Sequence, residues 1–352
     1  MMRDRKWGSV GVLLLMTIVT LLVVFSVAAG VLFGDELVTM AGIERIGDED
    51  LFVMEYKGDY GLDKFLETGA SSDGELVQFI VSHVLHGVPL KFDLPDLGCS
   101  TFAARLMDGT PVFGRNFDMY DSPAMLLTTR PENGYDSISM VNLAYIGYSA
   151  EHLPVDMKSS IMTLAAPYVP LDGVNEKGLA VGVLLIDTES TNQQTEKVDI
   201  TTTSAIRMLL DRAATVDEAI AMLEQYDMHA SAGSCYHFHI ADAQGGSVIV
   251  EYVDNVMHVI EGDAATNFLL TPGEYDFGVG QDRYEILRSA LDTNGGVFEN
   301  TQEAMMLLAA VKQMPREGKR STTQWSCVYD QSSASVEVTM DMNYGKTYTF
   351  SL

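Results

Sequence analysis

The chain is poor in cysteine and in basic residues, and each shortage narrows its class. Cys99, Cys235 and Cys327 are the three cysteines among 352 residues. So small and odd a set excludes a disulfide framework. A single Cys235–Cys327 bridge stays open, since spacing alone does not decide it. Any pairing leaves one thiol over. Lys and Arg number 22 against 49 Asp and Glu, for a formal charge of −27. Phosphate recognition needs basic surface, so nucleic acid is excluded as a partner. EF-hand-like loops, internal repeats and low-complexity tracts are also missing. The acidity therefore reads as a solvated, repulsive surface rather than a calcium store.

What is present is enough for a large core, because 47% of the residues are hydrophobic. The N-terminus carries Arg3, Arg5 and Lys6 ahead of an uncharged run from Trp7 to Gly34. A bilayer-spanning helix takes about 20 residues, which the apolar centre Val12–Phe33 supplies. The preceding cations favour a cytoplasmic N-terminus. A signal peptide cut near Val27-Ala28-Ala29 is the alternative, but the length of the run favours an anchor. Residues 1–34 are thus expected to be a signal-anchor or transmembrane helix. The remainder is expected outside the cytoplasm, held at the cell membrane by a single pass, or secreted if the segment is removed.

Residues 35–98 form a leader. "ELVTMAGIERIGDEDLFVMEYKGDY" alternates loosely, as strands do. "GELVQFIVSHVL" predicts a helix with Leu76, Phe79, Ile80 and Val84 on one side. Pro89, Pro95 and Gly98 then mark a turn-rich end. From Cys99 onward strands and helices alternate. "STFAARLM" and "PVFGRNFDM" flank Asp108-Gly109, a hairpin-turn signal. "GLAVGVLLID" is a buried-strand pattern, and "TTTSAIRMLLDRA" predicts a helix. A second helix starts at Thr215, with Glu218 completing a capping box. "CYHFHIADA", "GSVIVEYV" and "NVMHVIEG" follow as strands, and "TQEAMMLLAAVKQM" as a helix. The closing strands are "TQWSCVYD", "ASVEVTMDM" and "KTYTFSL". Runs of strands interleaved with helices imply sheet layers covered by helices, an α+β architecture.

One stretch carries chemistry. A thiol is a nucleophile only as thiolate and needs a base beside it. None of the seven histidines sits in an obvious partner motif. Cleavage of the Gly98–Cys99 bond would free an α-amine instead. Its pKa of roughly 7.7–8 lies close to that of a thiol at about 8.5, so one residue can supply both nucleophile and base. Gly98 presents no side chain to obstruct attack on its carbonyl, and Ser100-Thr101 begin a strand that holds Cys99 rigidly.

The motifs "GCST", "FGRNFD", "DGVNEKGLAVG", "ATNF", "DRYEIL" and "NYGKTYTFSL", in this order and spacing, resemble the choloylglycine hydrolase branch of N-terminal-nucleophile (Ntn) hydrolases. That family of linear-amide hydrolases includes penicillin V acylases and bile salt hydrolases. Acid ceramidase and N-acylethanolamine acid amidase are more distant relatives. The resemblance implies a four-layer αββα sandwich over residues 99–352. It implies Cys99 as nucleophile, Arg115 as the cation favouring its thiolate, and Asp118 as acceptor for the new α-amine. Asn267 resembles the oxyanion-hole asparagine, whose loss costs roughly 3–4 kcal/mol of transition-state stabilisation. Arg283 resembles the second arginine of these sites. Arg115 and Asp118 are three apart on one strand and would face opposite ways, so their convergence requires a twist, a bulge or the strand's end. Where bile salt hydrolases carry a second oxyanion-region asparagine, this chain has Leu185. Asp187 shares the face of Leu185 and is a weak substitute. Asn175 reads as a turn residue. The long leader, cut at the cysteine, looks more like the ceramidase branch, in which the leader stays bound and helps cover the site.

His237 and His239 share a strand face, and His83 and His86 lie one helical turn apart. Neither pair has a third ligand for a metal. The methionines read as adaptable core filling. The expected protein is an exported, membrane-anchored cysteine amidase of N-acyl amides, self-cleaved at Gly98–Cys99. It needs no cofactor, its partners are a small N-acyl amide and the membrane, and a homo-oligomer is left open. The alternatives are a bile-salt or penicillin amidase with the same machinery, and an unprocessed acyl-amide binding protein.

Overall fold

The computed structural model describes residues 11–20, 30, 33–92, 98–315 and 321–352. Most of the expected anchor, residues 1–34, lies outside the described residues. Within it, residues 11–20 are helical and their side chains are exposed. Among the described residues no helix is long and apolar enough to cross a membrane.

The segment after Cys99 shares its larger sheet and its core with the leader. The leader opens with helix α1 (Gly34–Ala41), followed by β1 (Glu44–Arg45) and β2 (Leu51–Tyr56). The expected alternation thus fails at its start, where Asp35 and Glu36 occupy a first helical turn, and holds from residue 44 onward. Helices α2 (Leu62–Thr68) and α3 (Asp73–His83) complete the leader. Ser72 caps α3 by accepting the Glu75 N–H at 3.3 Å, and Leu76, Phe79 and Ile80 are buried as the periodicity predicts.

The expected hairpin is β3 (Gly98–Leu106) and β4 (Pro111–Met119). Its turn is closed by Gly109, whose φ of +92° suits a residue without a Cβ. There follow β5 (Ala124–Thr129), β6 (Ser137–Asn142), β7 (Pro170–Asn175) and β8 (Ala180–Ile186). The short strand β9 (Val198–Thr201) leads into helix α4 (Thr202–Arg212), then α5 (Val216–Leu223) and β10 (Tyr226–His229). Thr215 caps α5 as expected, although Glu218 reaches back to the N–H of Ala214. Next come β11 (Cys235–Ala241), β12 (Ser247–Val253), β13 (Val256–Glu261) and β14 (Ala264–Ala265). The chain ends with α6 (Gln281–Asn294), β15 (Val297–Phe298), α7 (Thr301–Ala310), β16 (Thr322–Asp330), β17 (Ser335–Met340) and β18 (Tyr348–Ser351).

These strands make two large sheets. One has nine strands in the order β1-β2-β5-β6-β7-β8-β11-β12-β13. The other runs β14-β3-β4-β16-β17-β18, with β15 beside β3. β3 packs across to β8, so the sheets lie face to face. Helix α4 covers β7 and β8 from outside, and α7 covers β4 and β16. The result is helix, sheet, sheet, helix; the main core takes in leader residues Leu51, Met54, Phe65 and Ile80 together with Cys99 and Phe117, and a second cluster with Phe102, Leu287 and Leu308 lies under α6 and α7. β2 pairs in parallel with β5, so the leader supplies strands of the larger sheet. Cys235 sits on one sheet and Cys327 on the other; both are buried and free, and the bridge left open by the sequence is absent.

Candidate active site

Alternation along the hairpin decides what surrounds Cys99. Cys99 lies opposite Phe117 and Thr101 opposite Arg115, so these four side chains share the face toward the second sheet. Thr101 Oγ1 meets His239 Nδ1 on β11 at 2.8 Å, and Arg115 Nη1 donates to the Val183 carbonyl on β8 at 2.5 Å. Cys99 and Arg115 are both fully buried in this layer. Asn116 and Asp118 point the other way, toward the covering helix; Asn116 Nδ2 donates to the Leu308 carbonyl on α7 at 2.9 Å.

Arg115 and Asp118 therefore straddle the sheet, and no twist turns them to one side. A bulge does occur, but in the neighbouring β16 between Thr323 and Trp325, opposite Phe117–Asp118. It brings Thr323 Oγ1 to donate to Asp118 Oδ1 at 2.6 Å. Asp118 reaches Cys99 around the strand's end through other residues. Arg283, from the first turn of α6, donates through Nη1 to Asp118 Oδ2 at 2.6 Å and through Nη2 to Asn267 Oδ1 at 2.8 Å. The same Asn267 Oδ1 accepts the backbone N–H of Cys99 at 2.8 Å. Two donors converge on one atom, which fixes it as the amide oxygen. An unbroken polar chain thus runs from Asp118 through Arg283 and Asn267 to the nitrogen of Cys99. All four side chains of this arrangement that the sequence singles out, with Arg115 beneath, come together at one end of β3.

The amide NH2 of Asn267 is committed elsewhere, donating to the Leu185 carbonyl at 2.9 Å. In the uncut chain it is not a free oxyanion donor. Asp187, the weak substitute, lies beyond the end of β8 and is exposed. Gly98 is tightly enclosed: a Cβ there would lie 2.8 Å from Gln313 Oε1 and 3.1 Å from Asp118 Oδ2.

Burial dominates the electrostatics of the sulfur. It pushes the Cys99 thiol up to about 11, with Arg115 and Arg283 pulling down and Asp118 and Asp172 pushing up. Burial also opposes the charge on Arg115, yet Cys99, Asp172 and Asp118 together carry its pKa above the ordinary value. Asp172 escaped the sequence reading. On β7, it forms an ion pair with Arg115 Nε at 3.3 Å, accepts the Trp325 indole N–H at 3.4 Å and takes a hydrogen bond from the Tyr329 hydroxyl. It is the acid that orients the arginine. Its only signal is that it heads the "DGVNEKGLAVG" motif.

The remaining candidates have structural partners. Asn175 is a buried clamp: its Oδ1 accepts the N–H groups of Lys177 and Leu179, and its Nδ2 donates to the Leu210 and Ala213 carbonyls. His237 donates through Nε2 to the Thr266 carbonyl at 2.7 Å and meets Glu251 at 3.0 Å. His239 bonds Thr101 and Ser247, and burial lowers its pKa to about 3, so it stays neutral. His83 meets the Phe79 carbonyl and His86 meets Glu36. Among the described residues no group of three or more His, Cys, Asp or Glu side chains is placed to hold a metal.

Comparison with known proteins bears on this arrangement. Residues 99–288 match the sequence profile of linear amide C–N hydrolases, choloylglycine hydrolase family. A penicillin V acylase of Pectobacterium atrosepticum is 35% identical over 94 residues, which is 24% of this chain. The match spans about a quarter, 25%, of the length of that curated relative. Two solved structures share the fold. A mutant of the conjugated bile acid hydrolase from Clostridium perfringens aligns with a TM-score of 0.54 and 17% identity, over 72% of this chain and 92% of that one. A penicillin V acylase from Agrobacterium tumefaciens aligns with a TM-score of 0.50 and 18% identity, over 72% and 86%.

Proposed function

The chain belongs to the choloylglycine hydrolase family of linear amide C–N hydrolases, and from that premise we propose that it is a self-processing cysteine amidase acting on small N-acyl amides. One observation carries the reading: the nitrogen of Cys99 is held by Asn267, Arg283 and Asp118 in series, while its side chain shares the buried face of the hairpin with Arg115. A nitrogen held so deliberately suits a group that will become a base.

The proposed sequence begins in the uncut chain. The Cys99 sulfur attacks the Gly98 carbonyl, the acyl group passes from nitrogen to sulfur, and water releases it as the Gly98 carboxylate. The freed amine stays within reach of Asn267 Oδ1. It takes the thiol proton, and the thiolate attacks the amide carbonyl of a substrate. The ammonium protonates the leaving amine, and a water activated by the same amine hydrolyses the thioester. Arg115, fixed by Asp172, favours the thiolate by its charge. The fully buried sulfur of the uncut chain gives cleavage a second task, that of opening the site.

The leader's strands in the larger sheet support its retention after the cut. Residues 35–98 would then cover the catalytic part, residues 99–352, as a bound companion. The basic residues ahead of an uncharged run, together with the exposed apolar side chains of helical residues 11–20, support a membrane anchor and an extracytoplasmic site. Penicillin V and conjugated bile acids, taken from the names of the relatives, belong in the substrate panel beside fatty-acyl amides.

Intact mass spectrometry of the purified full chain tests the proposal. Wild type should give a fragment beginning at Cys99, and Cys99→Ala should give none. A wild type that stays whole while binding acyl amides would make it a binding protein instead.

A further inference from the structure

The hydroxyl of Tyr145 is fully buried and has no hydrogen-bond partner among the described residues. Such groups are rare in folded proteins, and each calls for an explanation. Tyr145 lies on the 3-10 turn Leu143–Ile146, which follows β6. Asn142 fastens this turn next to the site. Its Oδ1 accepts the Ala144 N–H at 2.9 Å, and its Nδ2 donates to Ser122 Oγ at 2.8 Å and meets Met119 Sδ at 3.2 Å. Met119 ends β4, two residues beyond Phe117, the partner of Cys99 in the hairpin. Tyr145, Cys99, Phe117 and Met119 all lie in the main hydrophobic core.

The opposite wall leads to the same place. Tyr236 on β11 pairs in register with Leu185, whose carbonyl holds the amide of Asn267. After burial, the groups that act on the Tyr145 phenol are Tyr236, Cys99, Arg115 and Tyr120. Burial above all, with Tyr236, Cys99 and Tyr120 adding to it and Arg115 opposing, raises its pKa well above the ordinary value, so it is a neutral O–H donor. Tyr252 offers the contrast. Its hydroxyl is also buried and unpartnered, but it responds to burial alone.

The acyl oxygen needs a donor as the reaction proceeds. Attack by the Cys99 sulfur drives an electron pair onto the acyl oxygen, and the Asn267 NH2 that could meet it is spent on Leu185. We propose that the Tyr145 hydroxyl donates to the acyl oxygen of the tetrahedral intermediate formed on Cys99. The inference rests on the amidase reading above. The C–S bond forms as the carbonyl π pair moves to oxygen, where the phenol holds it without losing its proton. The pair returns as the C–N or C–O bond to the leaving group breaks.

The test uses the full chain as wild type, Tyr145→Phe and Tyr252→Phe, with Cys99→Ala as blank. Self-cleavage is read by intact mass. Acylation of Cys99 is read from the burst of 4-nitrophenolate from 4-nitrophenyl acetate, a probe with too small an acyl group to depend on a specificity pocket. Tyr145→Phe should slow the burst by roughly 100-fold, with an equal or higher thermal midpoint, because an unsatisfied polar group has gone. Tyr252→Phe should leave the burst unchanged. Slower self-cleavage of Tyr145→Phe at an unchanged midpoint supports the proposal too, since Gly98 is itself an acyl group attacked by Cys99. A burst within about twofold of wild type overturns the proposal, as does a lowered midpoint, which would mark the hydroxyl as structural. A wild type that never cuts itself overturns the amidase reading, a separate failure.

Discussion

Among the described residues two arginines are fully buried, and each faces a buried aspartate. Arg115 lies between the sheets against Asp172, at 3.3 Å, and beneath Cys99. Arg207 lies on α4 against Asp211, at 2.6 Å, and beneath the leader. There its guanidinium stands over the Tyr60 ring at 5.8 Å, and the Tyr60 hydroxyl donates to Asp211 at 2.5 Å. Both guanidinium groups leave two nitrogens without a hydrogen bond among the described residues. Burial raises both aspartates, with the neighbouring arginine opposing it. The two pairs are alike as electrostatic objects. They differ in what stands over them, a sulfur in one case and a tyrosine of the leader in the other. A buried ion pair is therefore poor evidence of catalysis in itself; its neighbour assigns the role.

Exchanging each arginine for methionine should split the pairs most sharply. Both Arg115→Met and Arg207→Met strand a buried carboxylate, a loss of about 3–5 kcal/mol that thermal denaturation should reveal in both. Only Arg115→Met should also slow self-cleavage, by roughly 10–1000-fold, because only there does the cation favour a thiolate. Equal rates in the two variants would remove the distinction.

A gentler change acts on the leader side. Tyr60→Phe deletes a hydrogen bond to a charged group, worth about 1.5–3 kcal/mol. The expected result is a lower thermal midpoint and earlier loss of the leader from the cleaved protein in denaturant, followed by gel filtration, at an unchanged rate of self-cleavage.

A smaller change for any single pH unit comes from the titration of the thiol. Burial holds the Cys99 thiol up at about 11 in the uncut chain, above its unfolded value of about 8.5. The thiolate population, and with it the self-cleavage rate, should climb about tenfold per pH unit between pH 7 and 10. A folded value above the unfolded one also means that this group's contribution to stability is complete below about pH 8.5 and is lost as pH rises toward 11. Leader retention in already cleaved protein should not follow that profile. A rate flat with pH would place another base beside the sulfur.

Much of this was legible because it is local. The Asp108-Gly109 turn fixes the hairpin register, and register alone sets Cys99, Thr101 and Arg115 on one face. Apolar periodicity marks α3, a capping signal marks the start of α5, and apolar-rich runs mark the strands from β11 to β13. The failures needed distance. Asp172 meets Arg115 only because β7 and β4 lie in different sheets, a packing that neither segment encodes. The stretch from Leu143 to Tyr168 folds into two 3-10 turns with no periodicity to betray them. The start of the leader was read as a strand because six apolar or polar residues cannot distinguish one helical turn and a half from a short extended run. The bulge lies in β16 rather than in β4, since a convergence argued from one strand cannot see its neighbour.

The parallel pairing of β2 with β5 sets a practical boundary. A recombinant protein starting at Cys99 would carry the proposed nucleophile at its terminus from the first day, yet β5 would be a raw margin of open amides and carbonyls along a buried strand. Such a truncation invites clumping through that margin. Under the proposed self-cleavage, the same cut made after folding would leave two polypeptides sharing one sheet. Manufacture and maturation are thus different routes to the same covalent ends, and only the second yields a molecule with its border sealed.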